Sequence, residues 1–200
     1  MEGSKIHLSQ PEIDLVCNTD IILTKNTIIK KAITMFEELQ ETMVESNKKI
    51  SNADDIFSVS PKISKGENYS GLPYVVLDYP RMSNGDNLCF IRTMFWWGNF
   101  FSNTLQLSGM YKERYIEQIS SDYHSLSNGH YFIGINTDPW HHHFEETNYR
   151  EIRSVSSKAF ETILHEQAHI KIAAKWPLTE WNNAATTLYK SWNFLAGLVS

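Results

Sequence analysis

Polar and apolar positions along the chain follow two different rhythms, and their alternation divides it into helical ends and a strand-rich middle. Ser9-Gln10-Pro11-Glu12 has the form of a capping box with proline in the first turn, which predicts a short helix ending near Asn18. A longer helix capped at Thr24 or Asn26 is expected next. Its apolar residues Ile28, Ala32, Met35, Phe36, Leu39 and Met43 recur at the three-four spacing of one buried stripe. Residues 46–70 turn to Ser, Asn, Lys and Asp and read as a connecting loop.

The rhythm then shortens to two. Leu72–Leu77, Leu88–Trp97, Phe100–Leu107 and Tyr131–Ile135 read as strands, with tight turns at Ser83–Asp86 and Gly98-Asn99. The turns leave no room for a crossover helix, so consecutive strands are expected antiparallel. Met110–Leu126 has helical spacing and ends at Ser127-Asn128-Gly129. Glu151 to about Trp176 is expected as one helix stopped by Pro177, and Leu178–Leu198 as another. The expected fold class is α+β: a mainly antiparallel sheet of about four strands in the middle of the chain, flanked by N-terminal and C-terminal helices. Residues 1–200 are expected to form a single domain.

Composition narrows the functions available. Hydrophobic residues make up 42% and charged residues 20% of the 200, enough to build a core and too little charge for disorder. No apolar run reaches the roughly 18 residues of a membrane span. The net charge of −5 leaves no basic face for nucleic acid. Cys17 and Cys89 are too few for a disulfide framework and read as reduced core thiols. Met1–Lys5 opens no apolar leader, so the expectation is a soluble cytoplasmic chain.

Chemistry concentrates in three places. In the strand 88–97, Phe90, Arg92, Met94 and Trp96 alternate with Cys89, Ile91, Thr93, Phe95 and Trp97, so both faces are covered. A buried guanidinium needs an anion, and Asp78 at the end of the preceding strand is the first candidate. The functional version places Arg92 in a cavity walled by Trp96, Trp97, Phe100 and Phe101, binding an anionic or aromatic ligand. The second place is His141-His142-His143 after Asp138-Pro139-Trp140, where an extended backbone would put His141 and His143 on one face as a metal pair.

The third is His165-Glu166-Gln167-Ala168-His169, which matches HExxH. On a helix, residues i and i+4 stack, so both imidazoles can reach one zinc ion while Glu166 takes a proton from its bound water. The segment resembles the active-site helix of zincin metalloproteases, with uncharged Thr162, Ile163, Gln167, Ala168 and Ile170 around the histidines. That resemblance implies a zinc-dependent hydrolase or peptidase with His165 and His169 as ligands and Glu166 as general base; apart from it, a fold that brings the 141–143 loop onto the helix would let His141 or His143 complete the metal site. The resemblance covers about ten residues. Lys171 stands where the pattern has an apolar residue, and no third ligand occupies a familiar downstream spacing. The helical wheel also turns both histidines away from the apolar stripe, toward the surface or Trp176. The leading expectation is therefore a domain that binds a small ligand or a protein partner, with a homodimer among the partners and no cofactor. The zinc hydrolase is the alternative.

Overall fold

A computed structural model describes residues 6–48 and 55–200. Helices α1 (Gln10–Cys17) and α2 (Thr19–Lys48) lead into β1 (Lys62–Tyr69), β2 (Leu72–Asn84), β3 (Asn87–Trp96) and β4 (Phe100–Ser108). Helices α3 (Met110–Ser121) and α4 (Tyr123–Asn128) follow. Next come β5 (Phe132–Gly134), β6 (Tyr149–Glu151), α5 (Ser157–Glu166), β7 (His169–Pro177) and α6 (Trp181–Gly197). The protein is α+β, as its patterning predicts. The sheet has seven strands rather than about four, in the order β1-β2-β3-β4-β7-β5-β6, with every pairing antiparallel. It is not simply flanked by helices, because α3, α4 and α5 fall between strands. No helix among the described residues is long and apolar enough to cross a membrane.

The meander β2-β3-β4 follows the alternation of its residues. Val75 and Leu77, Cys89, Ile91 and Phe95, and Phe101, Leu105 and Leu107 all point to one face. On that face pack Ala32, Phe36, Leu39 and Met43 of α2, Phe160 and Leu164 of α5, and Leu188, Trp192 and Leu195 of α6. One link across this core is polar: Trp192 stacks on Tyr79 and donates its indole N–H to the Tyr79 carbonyl at 2.6 Å. The capping box forms as predicted, with Ser9 N–H donating to Glu12 Oε2 at 2.7 Å. The start of α2 lies earlier than Thr24, so it runs 30 residues.

Three strands appear where no strand is expected, the short β6 and two longer ones. The stretch Lys62–Tyr69 reads as loop because it is an edge strand, and its Lys62, Lys65 and Glu67 are the charges that keep an edge from pairing further. The other is β7. The single helix expected from Glu151 to Trp176 breaks up: residues 149–151 are β6, α5 ends at Glu166, and Gln167 is extended at φ −73°, ψ 143°. From there Ile170, Ile172 and Ala174 alternate with His169, Lys171 and Ala173, a period of two that fits a central strand. β7 inserts between β4 and β5, so Tyr131–Ile135, realised as Phe132–Gly134, pairs with β7 and not with its predecessor. Cys89 is buried as expected; Cys17 is exposed on α1 and is not a core thiol.

Candidate functional site

The helices cover one face of the sheet. The other face collects the polar residues of its central strands, and the register places them in rows. Asp78 lies across from Arg92, Arg92 from Thr104, Thr104 from Ala173 and Ala173 from Phe132. The next row runs Phe90, Gln106, Lys171, and the one after it Leu88, Ser108, His169. A row nearer the other end of the strands holds Tyr74, Trp96 and Phe100. The segment from Asn136 to Asn148 lies over these rows. Asn148 ties it down, donating through Nδ2 to the carbonyls of His141 at 3.1 Å and His143 at 2.6 Å.

Arg92 meets its predicted partner. Nε donates to Asp78 Oδ1 at 2.7 Å and Nη2 to Asp78 Oδ2 at 2.8 Å, a bidentate pair between directly opposed residues. Burial works against the guanidinium charge, and the bonds and charge of Asp78 outweigh it. The third nitrogen of the fork, Nη1, lies 3.1 Å from His142 Nε2. Arginine only donates, so the histidine accepts there and is neutral. Burial, then the charges of Arg92 and Lys171, push the His142 pKa well below its ordinary value. Its backbone N–H donates to the Tyr69 hydroxyl at 2.6 Å, which joins β1 to the covering segment.

Lys171 is the most unusual residue of this face. It is 1% exposed, yet among the described residues it has no carboxylate within ion-pair distance. Its ammonium donates to the His141 carbonyl and sits 4.9 Å from the centre of the Tyr149 ring. Burial lowers its pKa from 10.5 to about 8, with Asp138 opposing the change and Arg92 adding to it. Beside it Gln106 is 4% exposed, and its Nε2 finds no acceptor among the described residues. On the other side β5 passes so close that a Cβ at Gly134 would come within 2.8 Å of the Lys171 Cβ, which is why glycine stands there.

The face opens at the turn between β2 and β3. A cleft of about 680 Å³ is lined by Leu88, Ser108, Thr137, Pro139, Trp140 and His169, with Asp86 at its edge. Trp140 is held by an Asx turn, its N–H donating to Asp138 Oδ1 at 2.8 Å, and its ring meets Phe90 edge-on at 6.4 Å. His169 forms part of the floor and is 6% exposed. Burial and then Lys171 lower its pKa, against Asp138. Along β7 it lies two residues from Lys171 on the same face, and neither Lys171 nor Gln106 lines the cleft itself.

The HExxH segment does not form the helical arrangement its spacing suggests. His165 and Glu166 are exposed in the last turn of α5, whereas His169 begins β7. The helical i, i+4 relation is absent because the helix stops at Glu166, and the expectation that both imidazoles face outward fails for His169, which is buried. His141 and His143 do share a side, with ring centres 5.3 Å apart, as an extended backbone requires. His141 leans toward Asp138, Nε2 to Oδ2 3.4 Å, and His143 toward Glu145. No set of three or more His, Cys, Asp or Glu side chains among the described residues is placed to hold a metal ion.

The four-walled aromatic cavity is also corrected. Trp96 and Phe100 stand on the Arg92 face, their rings edge-on at 5.3 Å. Phe101 is fully buried in the helix-side core, and Trp97 packs edge-on to Phe95 there. Alternation along a strand keeps neighbours in sequence on opposite faces. Lys171, Gln106, Trp140 and His142 belong to the candidate site and are not reached by motif reasoning. The signal for Lys171 is a cation within a period-two apolar run. No known protein-family model matches the chain, and no curated protein matches it in sequence.

Proposed function

We propose that this protein is a binding domain for a small organic anion with an apolar or aromatic body, rather than a hydrolase. The observation that carries the reading is Lys171, a buried ammonium with no carboxylate partner among the described residues, beside the unsatisfied Nε2 of Gln106. Both groups donate hydrogen bonds and neither is matched by an acceptor of opposite charge, so an incoming carboxylate answers both. The cleft at Trp140, Pro139 and Leu88 offers the apolar wall that a small-molecule site needs, with His169 on the path inward. Entry requires the 137–143 segment to lift, which breaks the bond from Lys171 to the His141 carbonyl and replaces it with one to the ligand. Zinc-dependent hydrolysis draws no support from this geometry, because His165 and Glu166 lie on a helix and His169 on a strand.

The test is a thermal melt with benzoate, using inorganic phosphate as an anion without an apolar body. A ligand at 100 times its Kd stabilises by about 2.7 kcal/mol, which for a domain of this size corresponds to about 5–10 °C. Benzoate is expected to produce such a shift, phosphate a smaller one, and Lys171→Met to remove both. Absence of any shift, or a shift that survives Lys171→Met, overturns the proposal.

A further inference from the structure

At the N-terminus an apolar arm projects from the domain. Helix α1 has no buried residue, and the first buried side chain of α2 is Ile29. Between them Ile13, Leu15, Val16, Ile21, Ile22 and Leu23 are 39–72% exposed. Most of these, with Glu12, line the crook between the two helices, a groove of about 760 Å³. Eight residues are too few for a helix to persist in water on propensity alone, so α1 needs a second surface to rest on.

We infer that this arm is a homodimer interface, in which the arm of a second copy of the chain packs antiparallel on the first. The six apolar side chains present roughly 600 Å² per copy, so two arms cover roughly 1,200 Å², the lower bound for a stable specific interface before any polar neighbour is added. Charge is distributed to suit that pairing. Glu12 and Asp14 lie on α1 at the outer part of the arm, Asp20 lies at the start of α2 among the apolar residues, and the exposed Lys30 and Lys31 follow further along α2. Antiparallel packing brings the acidic part of each arm against the basic part of the other, and a two-fold axis repeats the match. A membrane surface fits less well, because the acidic residues sit among the apolar ones where an anionic bilayer would repel them.

Sedimentation velocity of the full chain between 1 and 50 μM tests this. The wild type is expected at twice the chain mass. Val16→Asp combined with Ile22→Asp, both at exposed positions, should sediment as a monomer with unchanged far-ultraviolet circular dichroism. Glu12→Lys with Asp14→Lys should weaken the dimer at least tenfold, and adding Lys30→Glu with Lys31→Glu should restore it. The proposal is overturned by a monomeric wild type at 50 μM, by a dimer indifferent to the aspartates, by failure of the charge swap to restore association, or by a monomer that instead co-sediments with phosphatidylcholine vesicles.

Discussion

An Arg92→Met variant is expected to lose about 3 kcal/mol of unfolding stability. Removing one member of a buried ion pair leaves the other charged and unmatched, which costs about 3–5 kcal/mol when both are fully enclosed. Asp78 has a side chain 11% exposed and Arg92 one 23% exposed, so the low end of that range applies. His142 also loses the guanidinium that donates to its Nε2. In urea, with a slope of about 2 kcal/mol per molar, the midpoint should fall by about 1.5 M without a change of slope. Adding Asp78→Asn should recover much of the loss, because the stranded charge is its main source. A midpoint unchanged in Arg92→Met contradicts the buried pair.

Lys171→Met is expected to act in the opposite direction. Lys171 titrates near 8 in the folded protein against 10.5 when unfolded, so folding at neutral pH works against a charge it disfavours. Lowering the pKa from 10.5 to about 8 corresponds to about 3 kcal/mol, and loss of the hydrogen bond to the His141 carbonyl takes back about 1, leaving a net gain of about 2 kcal/mol at pH 7. The sign of the pH dependence follows from the same pair of values. Between about pH 8 and 10.5 the unfolded chain holds a proton that the folded chain has released, so wild-type stability rises with pH across that window relative to the variant. The advantage of Lys171→Met should be complete below about pH 8 and gone above about 10.5. Urea melts of both proteins at pH 7, 9 and 10.5 measure it, and a variant less stable than the wild type at pH 7 contradicts the assignment.

Much of the scaffold is legible in the amino-acid sequence, for physical reasons that also explain what is not. The α2 stripe and the β2-β3-β4 meander are strongly periodic, and each buries one face against the other. The Asp78–Arg92 pair follows from the cost of an unpaired guanidinium in a doubly covered strand. β1 escapes because edge strands disguise themselves with charge. β7 escapes because Ile170, Ile172 and Ala174 suit a helix or a strand in isolation, and HExxH draws the eye to helical spacing. The decisive signal is Lys171, which breaks a helical reading and fits an alternating one. The candidate site is harder to read, since it joins Arg92, His142 and Lys171 from separate parts of the chain: the register of β4 on β3 and β7 brings Arg92 and Lys171 to one face, and the covering segment brings His142 onto Arg92.

Proton uptake on ligand binding reports directly on whether Lys171 anchors the bound anion. At pH 8.5 Lys171 is mostly neutral in the free protein, and a carboxylate bound against it favours the ammonium. Calorimetric titration of the wild type with benzoate in two buffers of different ionisation enthalpy should show uptake of about half a proton or more per ligand, and Lys171→Met should show none. Benzoate binding without proton uptake, the same uptake in Lys171→Met, or no binding at all would contradict the account.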